Sequence, residues 1–116
     1  MKKPTEPIHL KTDVTESGCI LHLQVPEDLY YLEGHFPQAP IIAGVCQLRW
    51  VVKAIETYCQ KTVHVAAMEA VKFHQFLLPG QSFSLGITFD SNANKWAYCL
   101  YAKDQKFASG RLVIDL

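Results

Sequence analysis

The 116-residue sequence reads as an α+β fold in which one long central helix is wrapped by a curved antiparallel sheet. Three observations predict this. Phe83, Leu85, Ile87 and Phe89 alternate with Ser82, Ser84, Gly86, Thr88 and Asp90, the period-two pattern of a strand with one buried face. From about Gly44 to Gln60, Val45, Leu48, Val52, Ile55 and Cys59 recur instead at three- and four-residue steps, the period of a helix. That helix is apolar over most of its girth, so it needs a cover, and only strand-like segments remain to supply one.

The elements follow in order. Ile8, Leu10, Thr12 and Val14 alternate with polar residues as a half-buried strand does. Glu16-Ser17-Gly18 supplies a turn, and Cys19, Leu21, Leu23 and Val25 return the alternation, a hairpin ended by Pro26-Glu27-Asp28. Residues 29–43 form an irregular connection containing Tyr30, Tyr31 and Gly34-His35-Phe36-Pro37. Its Pro37 and Pro40 fix backbone angles incompatible with a helix. In the helix that follows, Trp50, Val51, Ala54 and Tyr58 widen the apolar face, and Arg49, Lys53, Glu56 and Gln60 form its one polar line.

Residues 63–77 read as one long strand or two joined by a bend, with Trp50, Phe73 and Phe76 as candidate core. Leu78-Pro79-Gly80-Gln81 is a turn, and Ser91-Asn92-Ala93-Asn94 another. Residues 95–102 and 107–115, separated by Lys103-Asp104-Gln105-Lys106, complete an antiparallel meander. With no repeat, no low-complexity run and room for only one core, residues 1–116 are expected to form a single domain.

Composition narrows the function classes. The chain is 49% hydrophobic and 19% charged, with formal net charge zero, so no electrostatic field draws nucleic acid or an anionic membrane to it. Cys19, Cys46, Cys59 and Cys99 are widely separated, without the closely spaced couples of a zinc site, and each sits in an apolar stretch that suits a buried free thiol. Met1-Lys2-Lys3 has no apolar segment behind it, and no stretch reaches the ~18–20 apolar residues of a membrane span. A reducing cytoplasm is the expected location.

Chemistry concentrates around Gly34-His35-Phe36-Pro37. The motif sets a titratable imidazole nine residues before Gly44, at the head of the helix, where backbone N–H groups have no intrahelical partner. A neutral imidazole, with pKa near ~6.5, is well poised as a base near neutral pH. A helix N-terminus suits negative charge developing on a carbonyl oxygen. Gly44 also fits an ordinary helix-start glycine.

Gly34-His35-Phe36-Pro37-x-x-Pro40-x-x-x-Gly44-Val45-x-Gln47 resembles the signature of the FabA/FabZ family of 3-hydroxyacyl-acyl-carrier-protein dehydratases. Val71-Lys72-Phe73 followed by Leu78-Pro79-Gly80-Gln81 resembles a second stretch of that family, and Lys106-Phe107-Ala108-Ser109-Gly110 matches its final strand loosely. Gln47-Leu48-x-Trp50 leans towards the ApeI-like branch, associated with aryl polyene synthesis. The resemblance covers roughly residues 29 to 116. It implies a hot-dog fold and dehydration of 3-hydroxyacyl thioesters, on acyl carrier protein or coenzyme A, to trans-2-enoyl thioesters. No cofactor or metal is implied. His35 would be the base and the Gly44 N–H would stabilise the enolate, with Phe36, Val45 and Arg49 as substrate-binding or charge-stabilising residues.

In that family a Glu or Asp stands five residues after the glycine, on the partner subunit's helix, and protonates the departing hydroxyl. This chain has Arg49, whose guanidinium stabilises charge but is a poor proton donor. Three readings stay open. His35 shuttles the proton alone; another acid such as Glu33 or Glu69 substitutes; or the site is impaired, leaving an acyl-binding or heterodimer-partner subunit. A hot-dog thioesterase is a further alternative. Arg49 also fits a solvent-facing or interface residue, and His64 and His74 fit structural strand histidines. Lys72 and Arg111 are cations that an acidic carrier could meet. The family builds its tunnels between two protomers, so a homodimer or higher homo-oligomer is implied.

Overall fold

The computed structural model describes residues 5–27 and 44–115. Strand β1 (Ile8–Val14) and strand β2 (Gly18–Gln24) form the first hairpin, closed by a Thr15 N–H to Gly18 carbonyl bond of 3.0 Å. Helix α1 (Gly44–Cys59) follows the undescribed connection. Then come β3 (His64–Phe73), β4 (Ser82–Asp90), β5 (Lys95–Ala102) and β6 (Gln105–Asp115). All pairings are antiparallel, in the order β1-β2-β4-β5-β6-β3.

Strands β4, β5 and β6 form the expected meander, but β3 pairs with β6 at the far edge and not with β4. The segment between β3 and β4 makes this crossing. The His74 N–H bonds the Phe107 carbonyl at one end, and at the other Gly80 N–H donates to the Val25 carbonyl and Val25 N–H to the Gln81 carbonyl. Gly80 has φ +79°, a conformation that disfavours any side chain, and Leu77 is fully buried beneath the crossing. The last strand begins at Gln105, two residues before its expected start, because Lys103 takes φ +52° and closes a tight turn.

Core residues come from one face of the sheet and one stripe of α1. Leu23, Phe83, Leu85, Ile87, Trp96, Tyr98, Leu100, Phe107 and Leu112 line the sheet side. Trp50 stacks on Phe83 with ring centroids 6.1 Å apart, and Tyr58 meets Trp96 edge-on at 5.6 Å, which fixes the helix along β4. The buried helix stripe is Cys46, Gln47, Trp50, Val51, Ala54 and Ile55, rotated from the one expected. Leu48, Val52 and Cys59 are half-buried and Val45 is 74% exposed. Periodicity alone could not choose between two adjoining apolar stripes; the aromatic contacts with Phe83 and Trp96 do.

Other expectations also shift. Strand β1 is not half-buried: Ile8, Leu10 and Val14 are exposed, because it is an edge strand separated from α1 by an open hollow lined by Thr12, Val14, Ala54 and Tyr58, and its register breaks between His9 and Lys11. Phe73 and Phe76 are not core, at 54% and 71% exposed, since α1 covers the centre of the sheet and leaves β3 open. All four cysteines are free; Cys19 and Cys46 are buried while Cys59 and Cys99 are half-exposed. Among the described residues no helix is long and apolar enough to cross a membrane.

Candidate active site

The site is built around the start of α1. The helix begins at Gly44, after the two-proline connection, and Gly44 has no Cβ for a physical reason. A Cβ there would lie 2.5 Å from Cζ of Phe73 and 2.7 Å from its Cε1. The Phe73 ring therefore lies against the bare backbone at the helix N-terminus, where N–H groups lack intrahelical acceptors and the positive end of the helix dipole emerges. This contact brings together the glycine motif and the Lys72-Phe73 motif, which are separated by almost thirty residues in the sequence. Sequence reasoning assigned Phe73 to the core; its place in the second family-like stretch was the signal for another role.

Around the ring, Phe73, His74, Gln75 and Phe76 line an apolar hollow of about 470 Å³. His74 is anchored at its rim, its Nε2 lying 3.2 Å from the Ser109 hydroxyl. An apolar hollow beside a dipole end can hold a carbon chain while the helix end addresses a carbonyl.

Val45 and Arg49 are both exposed, and being four residues apart they share one face of α1 with Lys53. The first turn of the helix holds no acidic residue. Glu69, one of the candidate replacement acids, bonds the Lys95 ammonium across the sheet. That hydrogen bond outweighs the opposing desolvation and, with the charges of Lys95 and Arg111, holds its carboxyl below the ordinary range. A carboxylate kept ionised in this way is badly suited to protonating a leaving group. His35, Phe36 and Glu33 lie outside the described residues.

The family model described as ApeI dehydratase, of the ApeI-like group, matches residues 11–111. The chain thus belongs to the ApeI-like dehydratase family, on a hot-dog fold. It resembles a chain of the dehydratase heterocomplex ApeI:P from Xenorhabdus doucetiae at 25% identity and a TM-score of 0.87, covering 96% of this chain and 99% of that one. An uncharacterised protein from Erwinia carotovora subsp. atroseptica matches at 27% identity and a TM-score of 0.76, over 94% and 95% of the two chains. Among curated relatives, the 3-hydroxyacyl-[acyl-carrier-protein] dehydratase FabZ of Lactobacillus helveticus is 27% identical over 79 residues, 62% of this chain and 52% of that protein. FabZ of Clostridium perfringens (strain SM101 / Type A) is 27% identical over 82 residues, 65% and 59% of the two. The chain therefore spans between half and two thirds of the length of these curated relatives.

Proposed function

We propose that the protein dehydrates 3-hydroxyacyl thioesters, carried on acyl carrier protein or coenzyme A, to trans-2-enoyl thioesters. The observation that supports this most directly is the bare helix start at Gly44, backed by Phe73 and set nine residues after the motif histidine. In this reading His35 removes the proton beside the carbonyl, and the Gly44 N–H donates a hydrogen bond to the thioester oxygen as charge builds on it. Phe36 and Val45 border the acyl group, and Arg49 steadies the departing hydroxide without donating a proton. His35 then returns the proton it took, so that water leaves.

The working unit in this proposal is a homodimer or higher assembly. Strand β3 is an edge strand whose Val65, Met68 and Phe73 are exposed, an apolar border that a second chain would cover. A second reading, a non-catalytic partner subunit, draws on Arg49 and on the acid-free first turn of α1. One experiment separates the readings. Purified protein is incubated with a 3-hydroxyacyl-carrier thioester while enoyl product and free thiol are followed. Enoyl formation that drops by about 10²-fold or more in His35→Ala is expected. Thiol without enoyl product would mark a thioesterase, and neither product from a folded protein would leave the partner subunit. A gain of activity in Arg49→Glu would show that the arginine had displaced the usual acid.

A further inference from the structure

On the face of the sheet turned away from α1, three side chains form a continuous hydrogen-bonded chain. Ser84 on β4 stands directly opposite His22 on β2, and its hydroxyl oxygen is 3.1 Å from His22 Nδ1. His22 Nε2 is 2.9 Å from Asp13 Oδ2 on β1. The Asp13 carboxyl is held below the ordinary range, chiefly by its hydrogen bonds with His22 and Lys11. An ionised carboxylate can only accept, so the hydrogen it binds is on Nε2. In the neutral ring that tautomer leaves Nδ1 an acceptor, and the Ser84 hydroxyl donates to it. Nucleophile, base and orienting carboxylate thus stand in relay order.

A trough of about 590 Å³ begins one pleat further along the same face, among Ile20, Gly86, Ala97, Cys99 and Tyr101. Gly86 is the neighbour of Ser84 on that face of β4, and its missing side chain opens the floor. A Cβ there would meet nothing closer than Tyr101 Cε1 at 3.8 Å.

We propose that Ser84, His22 and Asp13 are a second nucleophilic site, at which Ser84 takes the acyl group of a short-chain acyl thioester whose chain lies in this trough. The Ser84 Oγ–acyl carbon bond forms as the carbon–sulfur bond breaks. The hydroxyl proton passes to His22 Nδ1 and from there to the leaving thiolate, releasing a thiol and leaving an O-acyl serine. Strand β4 is paired on both sides around Ser84, so its backbone amides are committed to the sheet and supply no oxyanion hole. Loss of such donors slows acyl transfer by about 10²–10³-fold. Deacylation by water needs the same stabilisation and attacks an oxygen ester, less activated than the thioester, so the acyl-serine accumulates. Cys99 does not compete well, because burial raises its thiol above the ordinary value and keeps it protonated.

The thioester substrate class follows from the proposed function, and the experiment keeps the two apart. The intact protein is incubated for hours with acetyl- and butyryl-N-acetylcysteamine, then mapped by peptide mass spectrometry. One acyl group on Ser84 is expected. It should be absent in Ser84→Ala, slowed at least about tenfold in His22→Gln, slowed for butyryl in Gly86→Val, and formed at the same rate in His35→Ala, which removes only the proposed dehydratase base, with each variant's fold checked by circular dichroism. No adduct on wild-type Ser84, or one formed equally fast in His22→Gln, overturns the proposal and reduces the chain to a static cross-strand ladder. Ser84 acylation in a protein that makes no enoyl product would defeat the dehydratase reading alone.

Discussion

At the scale of single residues, two glycines and one tyrosine show how local space governs stability. A Cβ on Gly18 would fall 1.9 Å from the Ile87 carbonyl oxygen, a backbone atom that no rotamer change can move. Gly18→Ala is expected to lower the unfolding free energy by about 1–3 kcal/mol, as overpacking does, measured by urea titration. At Gly110 the obstacle is the Tyr98 hydroxyl, 2.7 Å from where a Cβ would stand. That hydroxyl is buried with no hydrogen-bond partner among the described residues, and burial raises its pKa. Tyr98→Phe removes a desolvated polar group and no bond, so stability is expected to rise by about 1 kcal/mol. A fall would show that the hydroxyl has a partner after all. Asp13 gives a pH dependence. Its folded-state pKa is depressed by His22 and Lys11, so its contribution is present above the unfolded carboxylate value and is lost as pH falls through the lowered folded value. Melting curves of wild type and Asp13→Asn should differ at neutral pH and converge in acid. A gap that persists in acid would trace the stability to packing instead.

At the scale of elements, α1 is decided by its seat more than by its own pattern. Val51 and Ile55 are fully buried, whereas Val45 in the same apolar pattern is mostly exposed. Ile55→Ala is expected to cost about 2–5 kcal/mol and Val45→Ala less than about 0.5 kcal/mol, both read by chemical denaturation. Equal costs would mean that the stripe seen here is not the one that packs. The helix also shows what could be read from sequence. Its start at Gly44, its length and its polar Arg49 and Lys53 followed from the period of apolar residues and from the prolines before it. Which apolar stripe faces inward did not, because the choice rests on Trp50 meeting Phe83 and Tyr58 meeting Trp96 across long sequence separations.

Across the whole molecule, the placing of β3 matters most. A strand that reads as core from its Val, Met and Phe content becomes an open border once the crossing from Phe73 to Ser82 delivers it to β6 instead of β4. The proposed assembly gives this border a partner. Met68→Lys, on an exposed position of that edge, is expected to reduce the assembled mass in sedimentation while leaving the circular dichroism of the chain intact. A wild-type protein that sediments as a monomer at micromolar concentration would sink the assembly proposal. Loss of assembly with loss of helix signal would show instead that Met68 supports the fold.

The sequence by itself determined the class of the fold, the turns, the helix and the two motifs that carry the family likeness, because these depend on period, proline and glycine chemistry within a short span. It also placed Gly44 at a helix start. Three things were decided only in three dimensions. The Phe73 ring lies against Gly44, Glu69 is tied up by Lys95, and Ser84, His22 and Asp13 meet on the outer face of the sheet. Each joins residues from different elements, and strand order and register set those meetings. Neither leaves a trace in local pattern, since both are fixed by the packing of the finished sheet around its helix.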